Sequence, residues 1–111
     1  MKFEMYQSEK NNEWFFRVKA ANGETLCSSE GYTSKAGCEN GIESVKMNCR
    51  VEDNYMTQVS SNNQWYWTLR AANNQVIGTS QMYSSEQACR TGMMAMMNVE
   101  TTTPVVVMEK V

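Results

Sequence analysis

Apolar and polar positions alternate along the first third of the chain. Trp14, Phe16, Val18 and Ala20 interleave with Phe15, Arg17 and Lys19, the period-two signature of a half-buried strand. Upstream, Phe3 to Ser8 reads as a short strand, set off by the turn Glu9-Lys10-Asn11-Asn12. Downstream, Asn22-Gly23 offers the positive φ angles of a tight hairpin turn, and Glu24 to Ser29 reads as a third strand. After Tyr32 the period changes. Cys38, Gly41, Ile42, Val45 and Cys49 fall on one face of a helix, with Thr33 or Ser34 available to cap its start.

The same pattern recurs 51 residues later. Over positions 5–48 against 56–99, without a gap, 13 of 44 pairs are identical, where average composition gives about two or three by chance. They include Met5/Met56, Asn12/Asn63, Trp14/Trp65, Asn22/Asn73, Ser29/Ser80, Tyr32/Tyr83, Cys38/Cys89 and Gly41/Gly92. Trp65, Trp67, Leu69 and Ala71 repeat the inward strand face, and Asn73-Asn74 stands where the first unit has Asn-Gly. Ser84 and Gln87 have the spacing of a capping box for the second helix. Glycine costs about 1 kcal/mol relative to alanine inside a helix. A glycine at one inward position of both helices, Gly41 and Gly92, therefore predicts close approach of a neighbour.

Each unit is βββα, and the expected fold is α+β: a tandem duplication building one antiparallel sheet with both helices on one face. Unit one spans 3–50 and unit two 54–100, within a single pseudo-twofold domain over 1–111. The tail, 101–111, passes through Pro104 into Val105-Val106-Val107 and ends as an edge strand or a frayed terminus. Three stretches, Phe16-Arg17-Val18-Lys19-Ala20-Ala21-Asn22-Gly23-Glu24, Ser29-Glu30-Gly31-Tyr32-Thr33-Ser34-Lys35 and Gly41-Ile42-Glu43-Ser44-Val45-Lys46, together resemble the YegP-like family. These are small bacterial tandem-repeat proteins of unknown function. The resemblance covers residues 3–99 and implies a sheet shared by both units, with room for exchange of the strand that follows each helix. It brings no activity and no catalytic residues. Unit two departs from the pattern at Asn74 and at Met93-Met94-Ala95-Met96.

Composition removes several chemistries. The 111-residue chain has no histidine, so a Ser-His-Asp or Cys-His pair and a His-containing metal site are excluded. A net charge of −2 argues against a generic phosphate-backbone binder. No P-loop or G-x-G-x-x-G stretch occurs, and none of the carboxylates lies in an apolar run that would raise its pKa for acid–base work. With no apolar leader at the start and no window long enough to span a bilayer, a cytoplasmic protein is expected. In that compartment Cys27, Cys38, Cys49 and Cys89 read as free, small buried hydrophobes. Cys38 and Cys89 lie inward near the helix starts, where a thiolate could be favoured, and their equivalence in the repeat could bring them close; buried, inert thiols are the preferred reading.

Ten methionines are the remaining anomaly, seven of them in residues 54–111. Met93 and Met96 align with the inward Ile42 and Val45, whereas Met94 and Met97 align with the charged Glu43 and Lys46. Two methionines at positions that are charged, and expected to be wet, in unit one predict either an apolar contact patch or extra packing covered by the tail. A thioether copper(I) site is a third, weaker reading of the one-turn Met spacing. Residues 1–53 carry 16 charges and 54–111 only six, which also places an association surface on unit two. A second candidate is the outward sheet face, Phe15, Arg17 and Lys19 with Tyr66, Thr68 and Arg70. Interleaved rings and cations can stack and pair single-stranded nucleic acid, if the two strands converge about the pseudo-twofold axis. The plainer alternative is an ordinary solvent face. The functional expectation is a non-catalytic binding or interaction module without cofactor, metal or membrane contact. A partner protein or a second copy would dock on Met94 and Met97. The alternative is a nucleic-acid platform using Phe15, Arg17, Lys19, Tyr66 and Arg70.

Overall fold

The computed structural model describes residues 1–109. It contains β1 (Lys2–Gln7), β2 (Trp14–Lys19), β3 (Thr25–Ser28), α1 (Lys35–Asn48), a 3-10 turn (Glu52–Asn54), β4 (Tyr55–Val59), β5 (Trp65–Arg70), β6 (Val76–Ser80), α2 (Glu86–Met96) and β7 (Val105–Val107). The strands form one sheet in the order β4-β5-β6-β3-β2-β1-β7. The two βββα units meet at β3 and β6, which pair antiparallel through Cys27↔Ser80 and Ser28↔Thr79. Both helices pack on one face, and one core lies beneath them. It joins Phe3, Met5, Phe16, Val18, Ile42 and Val45 to Trp67, Leu69, Met93, Met96 and Val99.

Several of the residues that repeat hold turns, strand ends and helix caps. Asn12 and Asn63 take φ of 59° and 64° in the first hairpin of each unit, the left-handed region asparagine tolerates best after glycine. Asn22 and Asn73 accept the backbone N–H of Glu24 and Gln75. Ser29 and Ser80 accept the strand N–H of Phe16 and Trp67, each at 2.9 Å. Ser34 and Ser85 cap the helices through the N–H of Gly37 and Ala88. Ser85, not Ser84, is thus the second cap: its backbone is extended and its hydroxyl accepts the N–H of Ala88 in the first turn. The second hairpin also differs from the expected two-residue turn. Only Gly23 (φ 86°) and Asn74 (φ 70°) are left-handed, each closing a three-residue loop with the N–H of residue 23 or 74 on the carbonyl of Ala20 or Ala71.

The gapless alignment fails in one place. Met5 pairs with Phe16, but Met56 pairs with Thr68, and Trp67, the counterpart of Phe16, pairs with Thr57. Four residues lie between Ser8 and Glu13, whose backbone bond closes the β1–β2 hairpin, but only three between Ser60 and Gln64 at the β4–β5 hairpin. The missing residue slips β4 by one position and turns it over. Met5 is buried at 1% exposure while Met56 stands at 47%, and Tyr55 takes the inward place, edge-on to Trp67 with ring centroids 5.3 Å apart.

β7 lies outside β1 and parallel to it, with Phe3↔Val105 and Met5↔Val107; the six duplicated strands are otherwise antiparallel neighbours. Val105–Val107 stand 51 residues after 54–56, the lead into β4. The chain leaving α2 therefore repeats the path of the chain leaving α1, and each path ends on the flank of the other unit. Because β1 already fills the place beside β2, the tail takes the next one and keeps β1's direction. Residues 110 and 111, the end of the predicted tail, lie outside the described residues.

Candidate interaction surface

The outward sheet face is divided. β2 and β5 are separated by β3 and β6, roughly 14 Å at ordinary strand spacing, so the condition on which the nucleic-acid reading rested, convergence of their rings and cations, is not met. Beside β2, Phe15 stacks on Tyr6 at 5.8 Å and the Arg17 guanidinium lies 5.0 Å above the same ring. Arg17 Nε donates to Glu4 Oε1 at 2.7 Å, and Lys2 lies 3.4 Å from the other oxygen. Lys19 donates to the Gly23 carbonyl and Arg70 to that of Asn74. Arg17 is thus neutralised and the other two cations brace hairpins, leaving Tyr66 apart from Phe15. The Arg17 hydrogen bond holds the Glu4 carboxyl below its ordinary 4.5, against the opposing effect of burial. A carboxyl lowered by folding contributes stability above its unfolded value and loses it as pH falls through the folded one. Chemical denaturation should show stability declining below pH 4.5, less steeply in Glu4→Gln than in the parent; equal slopes would remove this pair as the cause.

The thiols are sequestered. All four cysteines are free and buried. Burial pushes Cys27 up to about 12 and Cys38 up to about 11, and raises Cys49 and Cys89 as well. Cys27 and Cys49 are close enough for the charge of one to disfavour that of the other, and the Cys27 thiol lies 3.9 Å from the Met96 sulfur. At pH 8 a thiol-specific chromophore should label none of the four until denaturant is added; rapid labelling of one in the folded protein would contradict this burial. Among the described residues no cluster of three or more Cys, Asp or Glu is arranged to hold a metal ion. No described helix is long and apolar enough to cross a membrane.

On unit two the methionines separate. Met93 and Met96 are core residues at 4% and 0% exposure, and Met94 projects outward at 63%. Met97 is half-buried at the end of α2. Its counterpart, Lys46, is not the wet position that its charge suggests. That side chain is 9% exposed, with the ammonium 5.6 Å above the Phe3 ring and bonded to the Thr101 carbonyl. The tail covers the unit-one flank and leaves Met94 uncovered. Val105 shares a recess with Glu39, Ile42 and Glu43 of α1. The corresponding positions on α2 are Arg90, Met93 and Met94. Arg90 and Met93 line a recess of about 290 Å³ with Glu52, Asp53, Tyr55 and Thr57, and no described strand lies outside β4. β4 also exposes Met56 and Val59, at 47% and 51%. Sequence reasoning missed this edge because the one-residue slip that exposes Met56 is invisible in a gapless repeat.

A duplicated βββα domain with one shared sheet, sequestered thiols and one uncovered flank defines a class of small α+β proteins rather than an activity. Residues 9–55 and 60–106 each match the Domain of unknown function (DUF1508), so both units carry the same family signature. The chain belongs to the YegP/UPF0339 family. It is 49% identical over 94 residues to a UPF0339 protein of Shewanella oneidensis, covering 84% of this chain and 86% of that one. It is 47% identical over 90 residues to UPF0339 protein YegP of Escherichia coli K12, covering 81% of each. The solution structure of E. coli yegP, described as a protein of unknown function, superposes with a TM-score of 0.89 at 41% identity over 97% of this chain and 92% of that one. That of the Shewanella protein gives 0.89 at 42% identity, over 97% and 91%. The family's biochemical function is unknown.

Proposed function

We propose that the chain is a non-catalytic interaction module that receives an extended polypeptide segment along the open edge of β4, beside Met94. The observation that carries this is the inequality of two otherwise repeated flanks. The edge of β1 is covered by the chain's own tail, an extended run of three valines, while among the described residues none covers the edge of β4 in this way. An exposed edge offers unpaired backbone groups for strand addition, and natural proteins otherwise block it with lysine, proline or a bulge. β4, Tyr-Met-Thr-Gln-Val, carries none of the blocking residues. The exposed Met94, replacing Glu43, adds adaptable apolar surface next to it.

A peptide of residues 101–108 is a suitable probe, because the same sequence lies along β1 in the intact chain. Added to isotope-labelled protein, it should shift the amides of Tyr55–Val59 and of α2 around Met94, and Val59→Lys/Met94→Glu should lose those shifts while staying folded. Shifts confined to β1, or none at millimolar peptide, would overturn the proposal. The nucleic-acid alternative is less well supported, since Phe15 and Arg17 are engaged with Tyr6 and Glu4, apart from Tyr66 and Arg70.

A further inference from the structure

We propose that the cleft between α2 and the β2–β3 hairpin is a binding site for an alkylammonium group, a positively charged amine on a short aliphatic stem. This site uses the face of α2 opposite the Arg90 and Met93 recess and does not depend on the strand-acceptor role. The cleft measures about 490 Å³, within the range of small-ligand sites. Leu26, at 4% exposure, and Gly92 belong to its buried lining, continued by Ala88, Ala95 and the Tyr83 ring. The Tyr83 ring packs over Gly92, and apart from it and Leu26 the apolar wall is made of small residues.

One charged side chain lines the cleft, and it is the exposed Glu24. Its two oxygens are held by amides from both units, Gln81 Nε2 at 3.0 Å and Asn22 Nδ2 at 3.2 Å, which also favour the ionised carboxylate. Among the described residues no lysine or arginine forms an ion pair with it. The carboxylate is therefore fixed in orientation, negative and without a counter-charge, at the rim of an otherwise neutral and largely apolar recess. An ammonium at Glu24 with its carbon stem on Leu26 and Ala88 matches the carboxylate and the apolar wall beside it, whereas an anion would meet only the carboxylate's repulsion. The amine can belong to a free small molecule or to the lysine side chain of a peptide; the chemistry at the cleft is the same.

The test is an amide-shift titration of the intact protein at low salt with three probes: pentylamine, Nα-acetyl-lysine-methylamide and the neutral pentanol. Both amines should shift Glu24, Leu26, Tyr83, Ala88 and Gly92, with the tighter of the two identifying the natural source. Because the charge pair would be exposed, Glu24→Gln, or pentanol in place of pentylamine, should weaken binding by only about five-fold. No saturable shift at about 20 mM amine, equal binding by pentanol, or amine binding unchanged in Glu24→Gln would each overturn the site.

Discussion

Replacing Trp67 with alanine should lower the free energy of unfolding by about 3–5 kcal/mol. Trp67 is the largest fully buried side chain, at 0% exposure. It stands under α2 on β5, edge-on to Tyr55, whose hydroxyl in turn bonds the Cys49 carbonyl at 2.6 Å. Its truncation therefore removes apolar area, opens a cavity between sheet and helix, and frees the ring that anchors the end of α1. A domain of this size has about 5–15 kcal/mol of stability in all, so the variant should unfold at a much lower urea midpoint or fail to accumulate folded. Phe16→Ala, at the equivalent place in unit one and also 0% exposed, should cost a comparable amount in the same range. A loss below about 1 kcal/mol at Trp67, the size of an ordinary surface change, would contradict its burial.

The second large effect concerns the paired glycines. Alanine in place of glycine within an exposed helix stabilises it by about 1 kcal/mol, yet Gly92→Ala and Gly41→Ala should each destabilise this fold by about 1–3 kcal/mol. A Cβ at Gly92 would meet the Tyr83 hydroxyl and come within 2.6 Å of its ring carbon Cζ; at Gly41 it would meet the Tyr32 hydroxyl, with Cζ at 2.7 Å. Neither ring can readily move aside. The segment before each helix is pinned to the start of β2 or β5 by the Trp14↔Tyr32 and Trp65↔Tyr83 bridges, and Tyr32 stacks against Phe16 at 6.3 Å. The sign distinguishes this account from a simple propensity effect. In a Tyr83→Ala background, Gly92→Ala should become neutral or stabilising, and a double-mutant cycle would show the coupling. Stabilisation by Gly92→Ala in the parent would rule out the close contact.

The recurrence of Tyr32/Tyr83 with Gly41/Gly92 was legible as a close approach, although the sequence does not say that a tyrosine makes it. The same holds for Asn12/Asn63 and Ser34/Ser85. Each sits where backbone geometry or an orphaned N–H demands one residue type, so duplication preserved it and the elements around it could be placed. Strand order was less accessible. Period-two alternation assigns faces within a strand but not neighbours between strands, so whether Phe15 and Tyr66 converge was left open by the sequence. The one-residue slip of β4 was hidden by identities at Met5/Met56 and Gln7/Gln58 that align in sequence but face opposite sides of the sheet. Met94 was legible from its charged counterpart Glu43. Lys46 misled, because its long apolar stem lies over Phe3 while its ammonium finds a carbonyl.

The claim that unit two keeps an open edge is tested most directly by amide hydrogen exchange, read residue by residue under native conditions. β1 is paired on both sides, with β2 and β7. Its amides facing either neighbour should be slow through Phe3–Met5. Among the described residues β4 is paired with β5 alone. Its amides should alternate, slow where they face β5 and fast by orders of magnitude where they face outward. Uniform protection along Tyr55–Val59, matching that of β1, would show the edge already covered and would contradict the account.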